Sequence, residues 1–500
     1  MQMSTPHDSS MLPPEKCSPV HSKEDTHLRF ICVGLAALIF FSRLWLVAEW
    51  ATPVPYLDQW DAEAMALYIP LLHGDFNPIV LVAAHNEHRI TLTRLLSVSL
   101  FLITKHWPVW ELFVANAALH ALTAWIVLRA AAIHAPRNIR GLALGGAFVI
   151  FLSIAGWQNA IWGFQSQFYF TNICAASAFG ALRPNRPILA PLLFAAVGLF
   201  TTASGCLIAA SIVATLLMTG LKQRKLAAAL QRALPAVLLF GIGLVLIGDA
   251  PHHDAIHAKS APQFFGLLIK CLSWPWFNTV WPWVVLWSPV LAYMWHRRSE
   301  AVNQLDLLIC SFASYTLLCS LALAITRGGG LPMGPLSRHQ DTLLFGAVAQ
   351  TLSAFWLLRK TATWPKYLGF AYLHVAAVGL IQSTHHQIAH DLPYRQQHDL
   401  VNLAMIKHYV ATGDISAFTA FSEFPGPYPA SPYRLAEVLD DPLFRRALPS
   451  EFHEGINVKL QAPALLRFSP LLAAVISLFL TARWIRVTAE RHPESLEAQS

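Results

Sequence analysis

The sequence predicts an all-α protein, a polytopic bundle of transmembrane helices. Two observations carry that expectation. Of 500 residues, 55% are hydrophobic and 13% charged, against about a quarter charged in an ordinary soluble domain. The apolar residues fall into about twelve blocks of spanning length, and every second loop between them is rich in Lys and Arg.

Taken in order, the first block, Leu28 to Val47, follows a polar tail holding Lys16, Lys23 and Arg29. It is longer than a signal-peptide core and lacks a clean small-residue cleavage site, so it is expected to remain as a helix in the membrane. Further spans are expected near Trp110–Leu128, Leu142–Gly156, Phe168–Ala181, Ile188–Thr202, Cys206–Thr219, Ala233–Gly248, Val280–Trp295, Leu305–Ile325, Leu343–Leu358, Tyr367–Ile381 and Ala464–Thr481. Loops holding Arg129, Arg137 and Arg140, then Arg183 and Arg186, then Lys222 to Arg232, Arg297 with Arg298, and Arg359 to Lys366 alternate with loops poor in cations. Basic loops stay cytoplasmic, which is expected to place both termini of a multi-pass chain inside. The alternation requires that Ile90 to Trp107 lie along the outer interface, with Arg89, Arg94 and Lys105 snorkelling.

The chain therefore divides into a cytoplasmic tail (1–27), a transmembrane core (28–381) with a first external loop at 50–107, an external segment (382–463), a last span (464–482) and a second cytoplasmic tail (483–500). Within the external segment, DLVNLAMIKHYVATGD reads as a short amphipathic helix and FPGPYPASPY as an extended turn. RLAEVLDDPLFRRALP reads as a helix stopped by Pro449. The net charge of +7 comes from cations that punctuate apolar runs; nucleic acid, which needs them gathered on one face, is excluded. The seven cysteines lie in the N-terminal tail or in apolar segments and show no metal-ligand spacing, so neither disulfides nor zinc is expected.

Candidate chemistry concentrates in the first external loop. Asp58 and Asp61 of YLDQWD stand three apart, so that a helix start would place both on one face. They suit a base for a hydroxyl or the ligands of a divalent metal; they equally suit an N-cap and a first-turn acid. His85, Glu87, His88 and Arg89 of HNEHR form the densest polar run at any membrane boundary. Imidazole and guanidinium groups suit a phosphate leaving group; a helix cap with one Glu–Arg pair is the plainer account. Arg327 and Arg338 bracket a glycine-rich loop on the cation-poor side, which suits a lipid phosphate or simply headgroup binding beside a flexible turn. Trp162 and Gln165 belong to an aromatic and amide stretch, GWQNAIWGFQSQF, fit for sugar rings or for an interfacial belt. The exposed histidines His252, His253 and His257 are not expected to bind metal.

A retained first helix, an external loop opening on an acidic motif, an interfacial helix before the second span, about a dozen spans and a C-terminal external segment together resemble the GT-C superfamily of polytopic glycosyltransferases. The similarity covers Phe30–Leu128 most closely and the remainder in topology alone. It implies a sugar donor carried on a polyprenyl phosphate and a glycan or lipid acceptor, both met at the periplasmic face among membrane lipids. It also implies an acidic base or metal ligand at Asp58 or Asp61, with carrier phosphate held by cations such as Arg89 and Arg338. DQWD is neither a DxD nor an Asp-Glu pair, and no WWD motif stands near the C-terminal loop, which argues against transfer to protein. The competing expectation is a transporter or flippase for a lipid-linked saccharide, which would need ionisable residues at midplane depth.

Overall fold

A computed structural model of the chain describes residues 19–276, 279–359, 363–419, 432–453, 469 and 472–477. Among these residues every regular element is helical and no strand forms. Six helices are long and apolar enough to cross a membrane: Thr26–Trp50, Val109–His134, Ala203–Lys222, Leu226–Val245, Gln304–Arg327 and Ser337–Leu358. Each overlaps an expected span. Backbone in hydrocarbon must bond with itself, and a long apolar helix does so.

The expected spans Leu142–Gly156, Phe168–Ala181, Ile188–Thr202 and Val280–Trp295 are helical but shorter. They form helices of 13, 16, 10 and 15 residues (Arg140–Leu152, Ser166–Ala181, Leu189–Gly198 and Pro282–His296). At about 1.5 Å per residue, none reaches the roughly 30 Å of a hydrocarbon core. Tyr367–Ile381 lies within the 24-residue helix Thr363–His386. Most of Ala464–Thr481, most of the FPGPYPASPY turn and the extremes of both tails fall outside the described residues. The opening helix starts at Pro19, inside the stretch the sequence assigns to the polar tail.

The stretch before the second long helix forms a 14-residue helix, Thr91–Thr104, closed by Lys105 at φ 62°. At about 21 Å it is too short to span. Arg94 does not snorkel from it: the side chain is buried and donates to the carbonyls of Val80 and Ala83. The irregular turn at Pro78–Leu81 lies against this helix, and its carbonyls draw the guanidinium inward.

Among the described residues two large hydrophobic cores form, beside two small clusters. One fills the bundle around Ile39, Phe151, Phe179, Phe312 and Phe345. The other joins the first loop to the C-terminal segment, packing Trp60, Tyr68, Phe101 and Trp107 with Ile406, Tyr409 and Phe444. Tyr68 and Phe101 stack at 4.3 Å, and Trp60 meets Trp107 edge-on at 5.0 Å. The Trp107 amide donates to the Ala447 carbonyl at 2.7 Å, and Trp110 Nε1 donates to Glu451 at 2.9 Å. The described part of the 382–463 segment is thus clamped onto the first loop. At the far end of the bundle, Asp306 takes Lys222 at 3.0 Å and Arg297 at 2.9 Å, while Arg232 donates to the carbonyls of Arg183 and Arg186. The basic loops collect there, away from the acidic loop.

Candidate functional site

The site is built on a tight turn. His85 and His88 exchange main-chain hydrogen bonds at 2.7 and 3.0 Å, with Asn86 at φ 49° between them. HNEH is therefore a two-residue reversal and not a helix cap. Residues facing each other across such a pair project to the same side, so the two imidazoles leave together.

His85 turns toward Asp58, Nε2 lying 3.9 Å from the carboxylate, with its ring edge-on to Phe164 at 5.4 Å. Asp58 does not cap the helix that follows: the cap position is Gln59, Leu57 before it has φ 47°, and the helix begins at Trp60. Burial works against ionisation of Asp58, but the facing His85 and the charges of Arg338 and His88 hold its carboxyl below the usual range. Arg338, 280 positions away in sequence, reaches this group from the first turn of Ser337–Leu358. Its Cζ stands 5.6 Å from the Trp162 ring centroid, and no carboxylate among the described residues pairs with it. Its main chain is fixed, since Arg338 N donates to Gln158 at 3.1 Å and its carbonyl accepts from Asn159 at 2.9 Å. Asp61 goes elsewhere, to Arg434 at 2.8 Å. The two acids do not converge.

Glu87, at the tip of the turn, pairs with Arg327 and lies 2.8 Å from His253 Nδ1. Burial opposes its charge, yet His88, Arg327 and His253 around it bring the carboxyl down to about 2. The triad borders a cavity of about 410 Å³ whose walls include Leu207, Leu244, Leu323 and Leu343. The three glycines after Arg327 serve packing rather than flexibility. Gly329 N and Gly330 N donate to the Ile256 carbonyl at 3.0 and 3.2 Å, and a Cβ on Gly329 would stand 2.5 Å from the His257 carbonyl. Only a bare backbone lets the 251–256 turn approach closely enough to bring His253 to Arg327.

Other expected residues take quieter places. Arg89 donates to the carbonyls of Leu246 and Val82 at 2.9 Å each, bracing the turn against the end of Leu226–Val245. Trp162 and Gln165 are each 2% exposed, so neither offers a bare face to a sugar. Trp162 instead takes the edge of Tyr56 at 5.0 Å. A divalent ion shared by Asp58 and Asp61 does not fit, because the carboxylates go to different partners. Among the described residues no three His, Cys, Asp or Glu side chains form a set that could hold one.

Comparison with protein-family models, with curated proteins and with solved structures finds no match for this chain.

The structure adds what the sequence reading missed. A larger cavity, about 640 Å³, lies between Tyr56, Trp157, Gln158 and the 382–398 stretch. His253, noted only as a poor metal ligand, proves to be a partner of Glu87. Arg43, His120 and Asp341 are each at most 1% exposed inside spanning helices, with Arg43 Nη2 3.1 Å from His120 Nε2 and Asn159 donating to Asp341 at 2.8 Å. The sequence carries one signal for them, their charge within apolar runs.

His88 makes the site acid-sensitive. Burial pushes its imidazole down to about 4 from an ordinary 6.5, and Nδ1 accepts the Ala203 amide at 3.1 Å. The unfolded chain then takes up a proton near pH 6.5 that the folded protein refuses until about pH 4. Stability falls with pH across that window. Glu87, lowered from 4.5 to about 2, extends the loss below it. The apparent melting temperature should drop between pH 7.5 and pH 5, and His88→Gln, which keeps an acceptor but cannot titrate, should lose measurably less. An equal drop in both proteins would contradict this placement of His88.

Proposed function

We propose that this chain is a GT-C-type glycosyltransferase, moving a sugar from a polyprenyl-phosphate carrier to a hydroxyl on a glycan or lipid. One observation carries the reading: Arg338, from a distant helix, lies over Trp162 close enough for its charge to help lower the carboxyl of Asp58, yet makes no ion pair with any carboxylate among the described residues. The acceptor oxygen forms a bond to the anomeric carbon as the bond from that carbon to the carrier phosphate breaks. The electron pair leaves on the phosphate beside Arg338, and the hydroxyl proton goes to Asp58. His85 orients the carboxylate. Arg327, already countered by Glu87, is the secondary cation.

The basic loops gather at the opposite end of the bundle, which on the usual charge bias makes the Asp58 end periplasmic. The reading is tested in nanodiscs with lipid-linked sugars extracted from cells lacking the protein. Arg338→Ala should cut transfer about 10²–10³-fold, as loss of a donor to a developing oxyanion does. Wild-type rates from Arg338→Ala would end the assignment. Cells without the protein should also accumulate lipid-linked sugar and lose a surface glycan.

A second reading, a flippase for the same carrier, is favoured by Arg43, His120 and Asp341 buried inside the bundle, where membrane proteins keep ionisable groups for transport. It predicts movement of lipid-linked saccharide across vesicles that contain no acceptor.

A further inference from the structure

We infer that the 640 Å³ cavity beside Tyr56 binds an uncharged saccharide, which within the transfer reading would be the acceptor. Its volume lies within the roughly 300–1,000 Å³ of small-molecule sites. Its lining mixes rings with amides, including Trp276 and Tyr394 among the former and Gln158 and Gln382 among the latter. Sugars have apolar ring faces and a rim of hydroxyls, and that mixture matches both.

The one guanidinium among the described residues on the wall is already countered. Arg395 is paired with Asp399 at 2.9 Å and lies over Tyr56, its Cζ 3.4 Å from the ring centroid. Asp391 has His386 at 3.5 Å. An anionic ligand would compete with Asp399 for Arg395, whereas a neutral one leaves the pairs intact. Peptide is disfavoured on different grounds. Strand addition, one common way of holding an extended peptide, has no sheet edge to use, since no strand occurs among the described residues.

The cavity also stands where an acceptor would be needed. Tyr56, on its wall, is two residues from Asp58, and Gln158, also on its wall, accepts the Arg338 amide at 3.1 Å. The apolar cavity bordered by Arg327 and Glu87 is a separate space.

The test is direct binding by calorimetry to the full-length protein in nanodiscs. The probes are mannotriose, cellotriose and xylotriose, with trigalacturonate as the anionic and trialanine as the peptide comparison. At least one neutral trisaccharide should bind. Tyr394→Ala should weaken it at least tenfold and Tyr394→Phe should restore it to within twofold, because Tyr394, 59% exposed and on the cavity wall, contributes a ring face. The inference is overturned by no neutral trisaccharide binding, by trigalacturonate or trialanine binding as tightly, or by unchanged affinity in Tyr394→Ala. Saccharide binding with Asp58-independent transfer would sink the transfer reading alone; Asp58-dependent transfer without saccharide binding would sink this inference alone.

Discussion

Asp58→Asn is expected to lower sugar transfer about 10²–10⁴-fold, the usual effect of losing a general base, in a protein that still inserts and melts like the wild type. The amide is nearly isosteric with the acid, and Asp58 closes no structural ion pair other than the 3.9 Å approach of His85. Fold and activity should therefore separate. Asp61→Asn supplies the comparison. It removes an ion pair with Arg434, whose side chain is 51% exposed, and such pairs contribute about 0–1 kcal/mol. Its transfer rate should stay within about tenfold of the wild type. Measured with lipid-linked sugar and acceptor at saturation, full activity in Asp58→Asn would remove the base from the proposal. Collapse of Asp61→Asn alone would move the base to the other acid.

Gly156→Ala should be strongly destabilising. A Cβ at Gly156 would fall 2.1–2.2 Å from the carboxylate atoms of Asp341. Asp341 is wholly buried and receives Asn159 at 2.8 Å. It cannot withdraw without losing that bond. Overpacking costs about 1–3 kcal/mol, and a buried hydrogen-bond partner left unsatisfied about 1–3 kcal/mol, so about 2–6 kcal/mol together is expected. Because Asn159 also holds the Arg338 carbonyl, transfer should fall with stability. Gly141→Ala is the control: nothing lies within 4 Å of its Cβ, and it sits in the helix Arg140–Leu152, where alanine is favoured by up to about 1 kcal/mol. Thermal unfolding in nanodiscs separates the two variants. Similar melting for both would mean that Asp341 does not press against Gly156.

The helical class and six long spans were legible because each depends on local composition: a long apolar run in lipid has one way to satisfy its own backbone. The neighbourhood of HNEHR was legible for a similar reason, since so many polar groups beside an apolar run mark a boundary. What the reading could not resolve was direction. Asp58 and Asp61 look equivalent at a spacing of three, yet Leu57 at φ 47° and a helix beginning only at Trp60 send them to different partners. Arg89, Arg94 and Arg338 look alike as cations at an interface. Two are occupied by carbonyls of neighbouring turns, and only the third stands by Asp58.

Composition and periodicity alone determined that this is an all-helical chain suited to a membrane, with its basic loops and its acidic loop alternating along the sequence. Tertiary structure alone decided which ionisable groups meet, because a meeting across hundreds of residues is set by helix packing and by places where the backbone has no side chain. Gly329 and Gly156 are such places. The triad of Glu87, Arg327 and His253 and the perch of Arg338 depend on how closely main chain can approach side chain there, a distance that no local pattern encodes.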